Sequence, residues 1–203
     1  MNEDRKSEIL EMSRQLFNEQ GYNNVSMRNI ADAINISVGN LTYYFKKKED
    51  LIEAVILEQN KNFSIPKIPT TLIELNEFFI HGIQHQKNNS YYYRHFDQLA
   101  KISPQVYQIQ VSNIKKRHEV LQSSFTILQK SGFIIKEEIP EQINGIIEVL
   151  NLIKIYWMPS NDLLGQVDIM TCFWSIIYPI LTEKGKVVFR EEIQEKISKT
   201  YSI

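Results

Sequence analysis

The chain has 203 residues, 43% of them apolar and 23% charged, with a formal net charge of −1. That length supports one sizeable core or two small ones, and the composition excludes a disordered or fibrous chain. The near-neutral balance also excludes sequence-blind coating of nucleic acid by bulk charge, so any such binding depends on where the charges lie. A single cysteine, Cys172, rules out an intrachain disulfide and a multi-cysteine zinc site, and fits a reducing cytoplasm. The opening MNEDRKSEIL is charged where a signal peptide needs an apolar core, and no run reaches the roughly 18 apolar residues of a membrane span. The expectation is a cytoplasmic protein with no membrane partner.

In chain order, residues 5–20 predict a first helix with Ile9, Met12, Leu16 and Phe17 on its buried side, ended by Gly21. Ser26 to Phe45 predicts two short helices joined by a tight turn. Ser26 caps the first, whose Ile30, Ala31 and Ile34 face inward, with Met27 extending that side. Asn35-Ile36-Ser37 breaks the pattern, and Ser37 caps the second, with Asn40 at its third position giving a weak capping box. On that helix Val38, Leu41 and Phe45 share one apolar arc, leaving Gly39, Asn40, Tyr43 and Tyr44 outward and Thr42 at the edge.

An outward face of Gly, Asn and two Tyr suits a surface that lies against something, because glycine weakens helices and exposed tyrosine adds no solubility. Asparagine can pair with adenine, tyrosine hydroxyls can bond phosphates, and glycine permits close backbone approach. An ordinary helical corner with exposed aromatics is the alternative. Lys46, Lys47 and Lys48 follow, at the start of a helix whose positive end prefers anions, so an arriving DNA phosphate would relieve them. A solvated lysine run is the plainer account.

The order Leu16-Phe17, Gly21-Tyr22, Val25-Ser26-Met27-Arg28-x-Ile30-Ala31, Ile36-Ser37-x-Gly39-x-Leu41, Tyr43-Tyr44-Phe45 and Lys48-Glu49-Asp50-Leu51 resembles the N-terminal domain of TetR/AcrR transcriptional regulators, over about the first 55 residues without a gap. The resemblance implies a three-helix DNA-binding domain with its third helix in the major groove, a homodimer, and repression relieved by a small ligand. It also implies DNA contacts from Ser26, Arg28, Ser37, Gly39, Asn40, Thr42, Tyr43, Tyr44, Lys46 and Lys48. Thr42 departs from the pattern, standing where the family most often has a tyrosine that contacts the DNA backbone; Tyr43 and Tyr44 are the better candidates for that role.

Glu49 to Phe63 predicts a fourth helix with Leu51, Ile52, Val55 and Ile56 inward, linking the two halves. Pro66 and Pro69 then break the chain, so the domains read as 1–48, a connecting helix 49–63, and 64–203. Beyond the break apolar residues recur at three and four rather than two, predicting helices at 71–87, 90–102, 104–131, 140–157, 162–184 and 187–200. Pro104 and Pro140 fall at helix starts, Gly132 and Gly185 past helix ends; Pro159 is expected to stop one helix and Pro179 to kink or divide the next. Helices 143–157 and 163–181 are apolar over more than one side, predicting a homodimer through a four-helix bundle, against the alternative that both lie in a monomer's core.

No metal or catalytic constellation emerges. His81 and His85 sit four apart without a third ligand, and Cys172 lies among apolar neighbours as an inert core residue. No phosphate-binding loop, dinucleotide turn or nucleophile elbow is present, so neither an enzyme nor a cofactor is expected. Aromatic residues of the second domain, Phe78, Tyr92, Phe96, Tyr107, Phe125, Trp157 and Trp174, are candidate walls for a small apolar or aromatic ligand, with plain core as the alternative. The fold expected is all-α: a three-helix helix-turn-helix domain plus a helical bundle for ligand binding and dimerisation. The function expected is a ligand-responsive repressor binding a palindromic double-stranded DNA operator as a homodimer. The alternatives are a regulator without a small-molecule ligand or an all-helical protein-interaction module.

Overall fold

The structure, a computed structural model, describes residues 2–61, 67–165 and 167–200. Among these the chain is helical, with an isolated antiparallel bridge between Ile134 and Leu181. The expected break at Ser64 to Pro66, and the end of the helix expected to reach Phe63, lie outside the described residues. None of the described helices is long and apolar enough to cross a membrane. The chain divides into two compact units, Met1–Ser64 with Lys87–Ser112, and Ile65–Gln86 with Asn113–Ile203.

The first unit starts with α1 (Asn2–Gln20), α2 (Met27–Ala33), α3 (Val38–Tyr44) and α4 (Lys48–Lys61). In α1 the buried line is Ile9, Ser13 and Phe17, with Met12 and Leu16 half-buried beside it; Ser13 is tolerated because its hydroxyl donates to the Ile9 carbonyl at 2.6 Å. Gly21, at φ +83°, ends the helix where an L side chain would be strained. All four inward residues predicted for α4 are buried.

The unit then takes in a segment that sequence reading assigned to the second domain. Residues 90–102, expected as one helix, form α6 (Ser90–Arg94) and α7 (Phe96–Ala100), broken at His95. Tyr91, Leu99 and Val106 are fully buried against α1 and α4 residues. The Tyr91 hydroxyl donates to Gln59 Oε1 at 2.6 Å, and Asn18 Nδ2 donates to the Asn88 carbonyl at 2.8 Å. Phe17 meets Tyr22 edge-on at 5.4 Å and Tyr91 at 5.9 Å, pairs that contribute about 0.5–1.5 kcal/mol each beyond their burial.

The second unit draws on α5 (Leu72–Asn88), α8 (Pro104–Lys130), α9 (Gln142–Leu164), α10 (Ile169–Ile177), α11 (Glu183–Val188) and α12 (Gln194–Thr200). Its core gathers Leu75, Phe79 and Ile83 from α5, Leu121 and Phe125 from α8, Ile147 and Leu150 from α9, and Phe173, Trp174 and Ile177 from α10. The Trp174 indole N–H donates to Asn76 Oδ1 at 2.9 Å, satisfying the one polar atom of the largest buried ring.

Three boundaries differ from expectation. Pro159 lies inside α9, which runs on to Leu164, because a proline removes one helical bond and the rest of the ladder persists. The helix expected at 162–184 is shorter: Asp168 caps it through the Thr171 N–H at 2.9 Å, and it gives way at Ile177 to a tight turn holding Pro179. Gly185 stands inside α11, since Thr182 begins that helix by accepting from the Gly185 N–H at 3.2 Å. A Cβ at Gly185 would meet the Phe133 carbonyl oxygen at 2.3 Å, so glycine serves close packing there rather than a helix end.

Candidate nucleic-acid interface

The reading element is built from its caps outward. At the start of α2, Ser26 accepts from the Asn29 N–H at 3.2 Å while Asn29 Oδ1 accepts from the Ser26 N–H at 2.8 Å, a capping box closed by asparagine. At its end the Ile36 N–H reaches the Ala31 carbonyl at 3.0 Å and the Asn35 N–H the Asp32 carbonyl at 3.2 Å, with Asn35 left-handed at φ +54°. This double bond pattern turns the chain sharply, and asparagine is the non-glycine residue that tolerates it best. Ser37 then caps α3 by accepting from the Asn40 N–H at 3.1 Å, with no reciprocal bond.

Ile30, Ala31 and Leu41 are fully buried and Ile34 and Phe45 nearly so, which holds the inner faces of both helices. Val38, expected inward, is 39% exposed: it occupies the first turn, ahead of the point where α3 meets the core at Leu41. Gly39 and Asn40 are exposed and Tyr43 is 78% exposed, forming the outward ridge. A Cβ at Gly39 would meet only Ser37 Oγ, at 3.8 Å, so nothing in the protein demands glycine there. Tyr44 is half-buried against the core, its ring edge-on to Tyr43 at 5.4 Å. Thr42 is half-buried and donates its hydroxyl to the Gly39 carbonyl at 3.0 Å. Ser26 and Ser37 are exposed at their caps, and Arg28 is exposed with Nε 3.9 Å from Asp32 on the next turn, too open and distant to bind it firmly.

The lysines divide. Lys46 and Lys47 are exposed, whereas the Lys48 ammonium turns inward, donating to the carbonyls of Tyr22 at 2.7 Å and Val25 at 2.8 Å and lying 4.2 Å from the Tyr22 ring centroid. Burial lowers the Lys48 pKa, Glu49 acting in the opposite sense, and burial raises that of the Tyr22 phenol to about 12, helped by Glu49. Lys48 is thus a clamp on the turn before α2, and the cations presented beside the ridge are Lys46 and Lys47. The sequence reading places all three lysines at the phosphate but names only Lys46 and Lys48 as contacts; no spacing within a lysine run tells which member faces inward.

The aromatic residues proposed as ligand walls divide between the two units. Tyr92, Phe96 and Tyr107 belong to the first unit, with Tyr107 52% exposed, and Phe78, Phe125, Trp157 and Trp174 to the second. Phe125 and Trp174 are fully packed core, while Phe78 and Trp157 are half-buried at its edge. Cys172 is half-buried rather than enclosed, its thiol pKa raised by burial and then by Asp168. His81 is exposed, and among the described residues no group of three or more His, Cys, Asp or Glu is placed to hold a metal.

Two short capped helices crossing on a three-helix core, with a polar ridge outward, define a helix-turn-helix domain of the DNA-reading class. Residues 9–55 match the model of the bacterial regulatory proteins, tetR family. The chain is 36% identical over 59 residues to the probable HTH-type transcriptional regulator YttP of Bacillus subtilis strain 168, covering 29% of this chain and 28% of that protein. It is 38% identical over 56 residues to the HTH-type transcriptional regulator UidR of Escherichia coli K12, covering 28% and 29%. These matches span under a third of the relatives' length. A solved TetR-family transcriptional regulator from Marinobacter aquaeolei VT8 shares the fold over 95% of this chain and 98% of its own, with a TM-score of 0.79 at 21% identity.

Proposed function

We propose that the protein is a cytoplasmic, homodimeric transcriptional repressor that holds a roughly palindromic operator until a small ligand binds its second unit. The observation that carries this reading is the ridge of Gly39, Asn40 and Tyr43, exposed on a helix whose other face is anchored in the core through Leu41. In a dimer two such ridges enter major grooves about one helical turn or a small multiple apart, where Asn40 reads a base edge and Tyr43, Lys46 and Lys47 meet phosphates.

The second copy is supported by α9. Val149, Leu152, Tyr156 and Leu163 recur at three, four and seven, forming one apolar line, and all are exposed, Leu163 at 86%. Such a line is left to water only if another surface covers it. The contribution expected of α10 is smaller, because its Met170, Phe173, Trp174 and Ile177 are spent on its own core. A ligand relieves repression only by binding the non-reading state more tightly.

The test is a gel-shift assay on DNA from upstream of the protein's own coding sequence, with excess unrelated duplex as competitor. A retarded band that survives the competitor is expected. Weak, salt-sensitive retention equal for every duplex overturns the reading.

A further inference from the structure

The reading helix α3, VGNLTYY, carries no charged side chain. Base pairs are told apart in the major groove by what reaches their edges: arginine and lysine favour guanine, asparagine pairs with adenine, and an apolar group rests on the thymine methyl. The cations of the helix-turn-helix lie off this helix. Lys46 and Lys47 follow its end, and Arg28 is on α2, the helix that crosses the backbone in this motif. What α3 itself offers a base is therefore apolar or amide.

Val38 supplies the apolar part. It is the first residue of the helix, at the end that meets base edges in this motif, and it is 39% exposed although Leu41 and Phe45 on the same arc are buried. Asn40 supplies the amide. Its backbone N–H is taken by the Ser37 cap at 3.1 Å, whereas its side-chain amide makes no bond among the described residues. Both side chains are short, so they reach base edges only if the backbone lies close to the groove floor. Gly39 stands between them, and a Cβ there would meet nothing in the protein nearer than Ser37 Oγ at 3.8 Å. The lack of a side chain at that position lets a duplex approach the backbone. Thr42 spends its hydroxyl proton on the Gly39 carbonyl at 3.0 Å, which leaves it no donor for a base.

We propose that each half of the operator is read through A·T pairs, with the Asn40 amide on N6 and N7 of an adenine and Val38 on the methyl of a nearby thymine. This rests on the operator-binding reading above and names the bases that the ridge recognises, adding Val38 to the residues that set specificity.

The test is selection of duplexes from a random pool by the full-length protein, followed by titration of the selected duplex with single groups deleted from its bases. Selection is expected to return a two-fold consensus with A·T pairs at fixed positions in each half. Each fixed thymine is replaced in turn by uracil, which removes only the methyl; at one position per half this should weaken binding about fourfold, the equivalent of one buried methylene. Replacing the partnered adenine by 7-deazaadenine, which removes the N7 acceptor, should weaken it about tenfold. Val38→Ala should bind the thymine and uracil duplexes alike, and Asn40→Ala the adenine and 7-deazaadenine duplexes alike, with urea midpoints close to the parent's. Half-sites whose fixed pairs are all G·C, no loss with either modified base, or the same losses in both variants overturn the proposal while the regulator reading stands. A pool that yields no consensus, with every duplex retained equally, ends the regulator reading and this inference with it.

Discussion

Lys48 is bound to Tyr22 twice over: its ammonium donates to the Tyr22 carbonyl at 2.7 Å and sits 4.2 Å from the centroid of that residue's ring. With the Val25 carbonyl as a further acceptor, the ammonium ties the start of α4 to the chain that enters α2. A charge employed in this way is poorly placed to meet a phosphate.

Lys48→Met should therefore lower the stability of the first unit by roughly 1–3 kcal/mol, the range for hydrogen bonds to a charged group, in urea unfolding. The salt dependence of operator binding should stay unchanged. Lys46→Ala and Lys47→Ala should do the reverse, each reducing the slope of log affinity against log salt by about 1 at unchanged stability. A shallower slope for Lys48→Met would contradict the clamp.

Asn40→Ala and Tyr43→Ala remove exposed groups, so each should keep stability within about 0.5 kcal/mol. Operator affinity in the gel-shift assay should fall ten- to a hundredfold, the equivalent of about 1–3 kcal/mol per specific contact. Tyr44→Ala differs because its ring packs on the core, and it should lower the urea midpoint as well.

Leu152→Glu and Leu163→Glu place a charge on the apolar line of α9. Sedimentation at micromolar concentration should show a monomer for either variant and a dimer for the parent, with helical content retained. Dimers in both variants would remove α9 from the interface.

The His85 pKa is lowered from 6.5 to about 4, by burial first and then by Lys154. Between those values the unfolded chain holds a proton that the folded chain does not, so stability should rise as pH climbs from about 4 to 6.5 and level off above. His85→Gln should flatten that rise in urea midpoints measured across the interval. Lys154 carries the same sign on the alkaline side, its pKa pulled well below 10.5 by burial and by Arg117.

The buried faces of α1 to α4 were legible because periodicity and serine caps are local signals, and Leu41, Phe45 and the α4 quartet all lie where the spacing puts them. Val38 escaped because an arc on a helical wheel does not say how far along a short helix its neighbour reaches. Pro159 and Gly185 misled for a related reason: the rules that end helices at proline and glycine are preferences of about 1–3 kcal/mol, which tertiary packing can override. The inward turn of Lys48 and the pairing of Lys154 with Gly82 depend on residues 26 and 72 positions away, beyond the reach of any local pattern. The aromatic residues around position 91 were visible as a cluster, but nothing in their order told which of two cores they would join.

That last assignment bears on engineering. Tyr91, Leu99 and Val106 complete the interior around Phe17 and Leu51, so a fragment cut after α4 would open a wound lined with aromatic and aliphatic carbon. Transplanting the reading helices into another chassis therefore calls for carrying residues 87–112 along with them, or for repainting the exposed seam with polar side chains.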